Sequence, residues 1–490
     1  MARVSNKTIR EPARDIRVCR EVDVAVVGGG PGGFASAVAA ARNGADTVLI
    51  ERYGHLGGMA SGGLVNIFPN LSTISGEQQI YGLNQELLDR LDARGGTSYP
   101  KKEDWGTTDE KVVNYYLNAH MANFFVRHDP DIGKRRVMYS AVVDPEILKA
   151  ELNDMVLESG ADLLLHSWGT EPIMEGNTAR GVIFESKSGR QAVLAKVVID
   201  STGDGDIFIG AGSEYDGTQD NKYMSAWIAM VWWIANVDIK KYEEFATSQP
   251  DKRDELMKEC VALGGHPRFS KGILENQEGV VWFHCIQPEA EPCDPKDVET
   301  LTRVDIKYRK KAMITLEFLR KRMPGFEKCF MMLTAPQLGV HGGSRVIGEY
   351  TLTENDLVSD EVFEDTVAVF ASNDYGDISH KHPTLCIPYR CLVPKKTDSL
   401  LVACRGFSSD LAIQQQFRII PPCICYGQAA GTAAAMAVKA GIQPRKVNYK
   451  ELQANLKKQG VYIPETVGIP GKNNQSGETI NAGDKYMKNV

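Results

Sequence analysis

Residues 22–51 read VDVAVVGGGPGGFASAVAAARNGADTVLIE, and this stretch decides the fold. Val22, Val24, Val26 and Val27 make a short apolar run of the kind that becomes a buried parallel strand. A GxGxxG pattern follows, with Gly28, Gly30 and Gly33, and Pro31 and Gly32 lie inside it. In such a unit the first glycine allows a tight turn. The second lets backbone approach a pyrophosphate, and the third lets helix and strand pack closely. Phe34 to Asn43 is Ala-rich and favours helix, and Gly44 stands at its C-terminal stop. Thr47 to Ile50 reads as the second strand and ends at Glu51, where an acid can hold the ribose hydroxyls of an adenosine. Two strands, a helix and a terminal acid in register point to dinucleotide binding rather than to a bare glycine turn.

With 490 residues, two or more domains are expected. Apolar content of 43% and charged content of 24% are those of a globular enzyme, and a net charge of −7 gives no support to nucleic-acid binding. The most apolar run, Met224 to Val237, is too short to span a membrane and reads as a buried strand. The first twenty residues carry six basic side chains and no apolar core, so they do not form a secretory signal. The ten cysteines are scattered without a CxxC, which argues against an iron–sulfur or structural zinc site and for reduced thiols in the cytoplasm. Cys423 and Cys425 read as small buried hydrophobes.

Further along, Glu77 to Ala93 has helical periodicity, Val137 to Val143 looks like a strand, and Asp144 to Ser159 reads as an amphipathic helix. Ala161 to Leu165 is a strand, followed by a hairpin from Ala179 to Ile199 that runs into the turn DSTGDGDI, residues 200–207. Lys296 to Arg322 is a long charged helix. Leu400 to Val402 is a strand, and a helix of small residues runs from near Pro422 to Gly441.

Three stretches beyond the first unit resemble the FAD-dependent oxidoreductases distantly related to fumarate reductase and succinate dehydrogenase flavoproteins. They are ERYGHLGGMASGG (51–63), VVIDSTGDGDI (197–207) and the long closing segment 399–441. A fourth, LGVHGGSRVIGEYTLTENDLV (338–358), is similar to the family's segment in its inserted domain, with His341 where arginine is common. Cys404 also stands where a glycine commonly precedes Arg405. The resemblance implies an α/β fold: a Rossmann-like FAD-binding domain, a parallel sheet with flanking helices, carrying an inserted α+β substrate domain. The expected boundaries are 18–213 and 385–465 for the FAD domain, with a helical excursion at 76–134. The insert is 214–384, with arms at 1–17 and 466–490.

FAD, held non-covalently, is the expected cofactor. His55 reads as a loop residue rather than a tether. Beyond the glycine loop and Glu51, the expected cofactor-binding residues are Arg52, Gly57, Gly58, Met59, Val143, Thr202, Gly203, Asp204, Asp206, Arg405, Gly427, Gln428, Gly431 and Thr432. Catalytic candidates are His341, Arg345, His380, His382 and Arg390. A histidine titrating near neutrality can pass a proton, and an arginine can hold a carboxylate. No metal is expected. The expected function is hydride transfer between flavin N5 and a small polar molecule, either a hydroxylated compound or an unsaturated carboxylate. The alternative is an accessory flavoprotein that passes electrons to a partner protein. A small-molecule substrate and an unidentified electron donor or acceptor are the partners, and homo-oligomerisation stays open.

Overall fold

The computed structural model describes residues 7–118, 122–129, 131–220, 223, 227–271, 274, 277–287, 294–371 and 382–465. The opening strand is longer than its apolar half. It runs Arg17–Val27, because its polar residues extend along the neighbouring strand at Gln191 to Leu194. It pairs in parallel with Thr47–Ile50 on one side and with Gly189–Asp200 on the other. Thr47–Ile50 pairs in parallel with Asp162–Leu164.

The long strand Gly189–Asp200 divides its remaining edge between two partners. Up to Leu194 it carries the antiparallel ribbon Thr178–Ser186, itself paired with Trp168–Glu175. Its last three residues, Val198 to Asp200, pair in parallel with Leu400–Val402 from the far end of the chain. These seven strands form one mixed sheet with a parallel core, the layout of an α/β dinucleotide-binding domain.

The helix Pro31–Arg42 covers one face and is buried over most of its length. Against it lies the closing helix, Ile420–Ala440, stopped by Gly441 at φ 63°. A Cβ on Gly427 would fall on the Gly32 carbonyl, and one on Gly431 on the Ser36 carbonyl. Small residues are therefore what let these two backbones touch. The antiparallel pair Thr366–Ala371 and Thr384–Pro388 packs into the same core, so side chains on both sides of residue 384 share one cluster.

Residues 228–340 build a five-stranded antiparallel sheet around Ile228–Ala235. Every residue of that central strand is buried, and its two faces separate by the period of two. Ile228, Met230, Trp232 and Ile234 pack on the long helix Val298–Arg322 through Val304, Tyr308, Ala312 and Leu319. Val231, Trp233 and Ala235 pack instead on Leu64, Ile67, Phe125 and Val142. Trp282 Nε1 donates to the Leu64 carbonyl at 3.0 Å across the same seam.

Some expected elements change. The helix expected from Glu77 starts only at Leu83, because Gly82 takes φ 62° and Gln78 bridges to Ser72. The strand expected over 137–143 is split into Lys134–Val137 and Ala141–Val143, which pair with different partners. Within 76–134 the helices Leu83–Ala93 and Glu110–Asn118 alternate with the short strands Thr97–Ser98 and Val126–Asp129. Among the described residues no helix is long and apolar enough to cross a membrane.

The helix contact can be broken at one atom. Gly431→Val puts a branched side chain onto the backbone of the first helix and should destabilise the fold by about 3 kcal/mol, the upper part of the overpacking range. Thermal unfolding of the flavin-loaded protein measures this. An unchanged melting temperature would show that the two helices do not touch at this register.

Candidate active site

One cavity of about 830 Å³ reaches from the glycine loop to the five-stranded sheet. Its first wall is Gly28, Gly30, Pro31 and Gly32 at the start of the first helix, with Glu51, Arg52 and Tyr53 beyond the second strand. Gly58 and Met59, then Thr202, Gly203, Asp204 and Asp206, then Cys404 and Arg405 continue the lining. Ile419, Ile420 and Cys423 bring in the start of the closing helix. The far end is lined by Trp282, His284, Gln337, His341, Gln415, Gln416 and Arg418.

Each wall is fixed locally. The Glu51 carboxylate accepts the Gly29 N–H at 2.5 Å and the Tyr53 N–H at 2.8 Å, which ties the glycine loop to the end of the second strand. Burial pushes this carboxyl above its usual range, against the pull of those donors. In the DSTGDGDI turn the first acid builds the loop. Asp200 is fully buried and accepts from Thr202 N, Thr202 Oγ1, Ile207 N and Phe208 N at 2.8–3.1 Å. Asp204 pairs with Arg405, whose Nε donates to the Gly342 carbonyl at 2.6 Å. Asp206 has no such cation in contact. Burial, then Asp200 and Asp204, push its carboxyl up to about 6.

His341 and His284 stand at the far end with ring centroids 5.8 Å apart and planes within 16°. His341 Nδ1 lies 2.9 Å from the Gly339 carbonyl. A carbonyl only accepts, so Nδ1 carries the proton and Nε2 is the basic nitrogen. Desolvation, then the neighbouring His266 and Arg418 charges, push His284 down to about 4. Desolvation, Arg418 and His284 hold His341 well below its ordinary value. Both rings are therefore neutral at physiological pH, which corrects the expectation of a histidine titrating near neutrality.

Of the four catalytic candidates among the described residues, His341 alone lines the cavity. Arg345 is fully buried elsewhere, paired to Asp216 at 2.5 Å and bonded to Gln414 Oε1 at 3.2 Å. Arg390 is held in a fork by Asp365 at 3.0 Å and lies over the Tyr350 ring. His382 Nδ1 lies 2.9 Å from Asp360. Arg345 and Arg390 are thus ion-paired, and His382 lies against a carboxylate, all outside the cavity lining. His380 lies outside the described residues.

Six expected cofactor contacts also fall outside the lining, and Gly33 does too. Gly33 sits against the Gly28 carbonyl, where it permits the close helix–strand approach. Gly57 turns at φ 100° and donates to the Gly29 carbonyl at 2.8 Å. Val143 is buried in its strand. Gly427 and Gly431 serve the helix contact. Gln428 Oε1 accepts from Leu83 N at 2.9 Å, and Thr432 Oγ1 donates to the Gln428 carbonyl at 2.8 Å.

Sequence reading missed His284, Arg418, Gln415 and Gln416. A signal for His284 existed. Trp282, His284 and Ile286 alternate along Val281–Gln287 and all line the cavity, while Val281, Phe283 and Cys285 join the core beneath.

The residues present fit FAD. Gly30 lines the cavity, and a Cβ there would meet nothing within 4 Å, so the backbone faces an open cradle. The first helix and the closing helix both begin at this cavity without a side-chain cap. Their N-terminal dipoles and N–H groups favour an anionic pyrophosphate or ring edge. A uncapped pair of helix starts, a carboxylate closing the second strand and a cavity continuing to buried imidazoles define a dinucleotide-dependent enzyme. The family model described as FAD dependent oxidoreductase matches residues 23–456, and the chain belongs to that family. FAD is its cofactor, and it is a FAD-dependent oxidoreductase.

No curated protein matches the chain. Among solved structures, it is similar to a geranylgeranyl bacteriochlorophyll reductase-like protein of Thermoplasma acidophilum, at 15% identity over 90% of this chain and 83% of that one, TM-score 0.42. A p-nitrophenol 4-monooxygenase from Pseudomonas putida matches at 11% identity over 91% of each chain, TM-score 0.43. A myxobacterial chondrochloren halogenase matches at 12% over 90% and 79%, TM-score 0.39.

Asp206 gives the site a pH signature. Its folded value of about 6 lies above the ordinary 3.8, so ionisation is disfavoured in the fold. That penalty is absent below about pH 4, grows through the interval and is complete above about pH 6. Asp206→Asn should therefore match the wild type near pH 4 and exceed it near neutrality by on the order of 2 kcal/mol. Urea unfolding of the flavin-free proteins at the two pH values tests it, and an equal difference at both would exclude titration of Asp206 as the cause.

Proposed function

We propose that this enzyme transfers a hydride between FAD and a small polar organic molecule, a hydroxylated compound or an unsaturated carboxylate. The observation that carries the reading is the single cavity leading from the glycine loop to the His284–His341 pair. FAD, bound without a covalent link, supplies the two-electron redox step at N5. Distant kinship with fumarate reductase and succinate dehydrogenase flavoproteins is part of the same proposal and rests on the four resembling segments.

The chain's residues divide the remaining work. The N-terminus of the first helix holds the pyrophosphate, and Glu51 accepts hydrogen bonds from the adenosine ribose. Thr202, Gly203, Asp204 and Asp206 line the same cavity and would hold polar atoms of the cofactor. At the far end, His341 Nε2 takes the proton that leaves a substrate hydroxyl, or returns it in the reverse direction. Neutral at physiological pH, it is ready to accept without first losing a proton. Arg418, with Arg127 and Arg309 in the same lining, favours a substrate bearing negative charge. Trp282, Leu338 and Val340 exclude water on the other side.

The test is anaerobic bleaching of the flavin by a panel of alcohols, hydroxy acids and reduced enoate analogues. One compound class should bleach it quickly. His341→Gln should keep the flavin spectrum and slow that bleaching by about 10²–10⁴-fold, the usual loss for a general acid–base. The acid limb of the wild-type rate profile should lie well below pH 6.5 and vanish in the variant, because the imidazole is held far below its ordinary value of 6.5. Wild-type rates in the variant would remove His341 from proton transfer. Acid precipitation should leave FAD in the supernatant, and flavin in the pellet would overturn the non-covalent assignment.

A further inference from the structure

We propose that Trp168 is the platform on which the adenine of FAD stacks. The chain has six tryptophans. Trp227, Trp232, Trp233 and Trp282 are buried and Trp105 is half-buried, whereas Trp168 alone is exposed, at 54%. Within a cofactor cavity, an exposed indole presents a flat apolar face of the kind on which a base stacks. Trp168 lies in the lining of the cavity, at the same end as Glu51 and Arg52.

Its place is fixed by backbone. Glu51 N donates to the Leu164 carbonyl at 2.9 Å, His166 N to the Tyr53 carbonyl at 3.1 Å, and Ser167 N to the Glu51 carbonyl at 2.9 Å. These three bonds stitch the connection 164–167 to the loop that follows the second strand. Trp168 then opens the antiparallel ribbon, opposite Glu185. Trp168 thereby follows directly on the segment bonded to the Glu51 backbone, and both residues line the cavity. A base attached to a ribose held by Glu51 comes within reach of the indole face, and an aromatic face accepts any base by stacking. The connection is braced on both sides, so the platform needs little ordering when the cofactor binds.

The assignment commits to the adenine of FAD rather than to a second, separately bound nucleotide, and the test distinguishes them. Release of FAD from the diluted holoenzyme is followed by the return of free-flavin fluorescence. Trp168→Ala should release FAD with a dissociation constant raised roughly tenfold or more, the range for loss of one base–aromatic stack. Trp168→Phe keeps an aromatic face and should stay within about threefold of the wild type. ADP added to the flavin-free full-length protein should quench a part of the tryptophan emission that Trp168→Phe lacks. The flavin-free alanine variant should unfold at the wild-type temperature, as befits an exposed side chain. Unchanged FAD retention in the alanine variant would overturn the proposal. A lowered unfolding temperature matching the loss of FAD would make Trp168 structural. Trp168-dependent quenching by ADP in the holoenzyme, with FAD in place, would assign it to a separate nucleotide.

Discussion

The contact between the first helix, Pro31–Arg42, and the closing helix, Ile420–Ala440, is the constraint on which the rest depends. Gly427 meets residue 32 and Gly431 meets residue 36, so one step of four on one helix matches one step of four on the other. The two helices therefore run in the same direction, and both N-termini arrive at the same end of the sheet. That end is the cavity, which Gly30, Pro31, Ile419 and Ile420 all line. Two positive helix ends thus converge where an anionic cofactor is held. The same contact obliges Leu400–Val402 to enter the sheet beside Val198–Asp200, because the strand must deliver the chain to that helix.

The five-stranded sheet is held from both sides. Its central strand buries one face on the long helix and the other on the excursion that follows the glycine loop. A strand packed on both faces is a rigid mount, and the neighbouring strand Val281–Gln287 shares that rigidity through full antiparallel pairing. His284 sits on this mount, and His341 lies just past the short strand Gly339–Val340 that pairs with the same central strand. The imidazoles are thus positioned by sheet register, which holds a site more firmly than a free loop does.

Much of this was legible in the sequence, for physical reasons that can be named. The glycine loop and Glu51 are local features within thirty residues, and local spacing carries them. The apolar run around Ile228 to Ala235 announced a buried strand, because hydrophobicity without alternation means burial on both faces. The small residues at 427–434 announced close approach, but not to what. Gly427 and Gly431 meet the first helix, and residues 427–432 stay outside the cavity lining, a distinction that depends on pairing across the whole chain. Arg345 and Arg390 looked like substrate clamps because an arginine reads as an unsatisfied charge until its partner is known. Asp216 and Asp365, distant in sequence, satisfy them. His284 was passed over because a single histidine in an apolar strand looks like core, and only the register shows that it faces the cavity side with Trp282 and Ile286.

The two ends of the cavity hold protons in opposite ways. At the dinucleotide end, burial raises Glu51, Asp200 and Asp206, and Asp200 and Asp204 raise Asp206 further, so carboxyls there keep protons longer than in water. Only Asp204 has a contacting cation, Arg405. At the far end, burial and Arg418 lower both imidazoles, so those rings give protons up. Asp206 is pushed up to about 6 and His284 down to about 4. Above neutrality Asp206 is therefore a carboxylate, while the two imidazoles are neutral. In the proposed reaction, the proton that accompanies hydride transfer would meet a basic nitrogen already in its accepting form, His341 Nε2, because the neighbouring Nδ1 is committed to the Gly339 carbonyl. Under that proposal, the low basicity of the nitrogen would let it pass the proton on and return to its starting state for the next turnover.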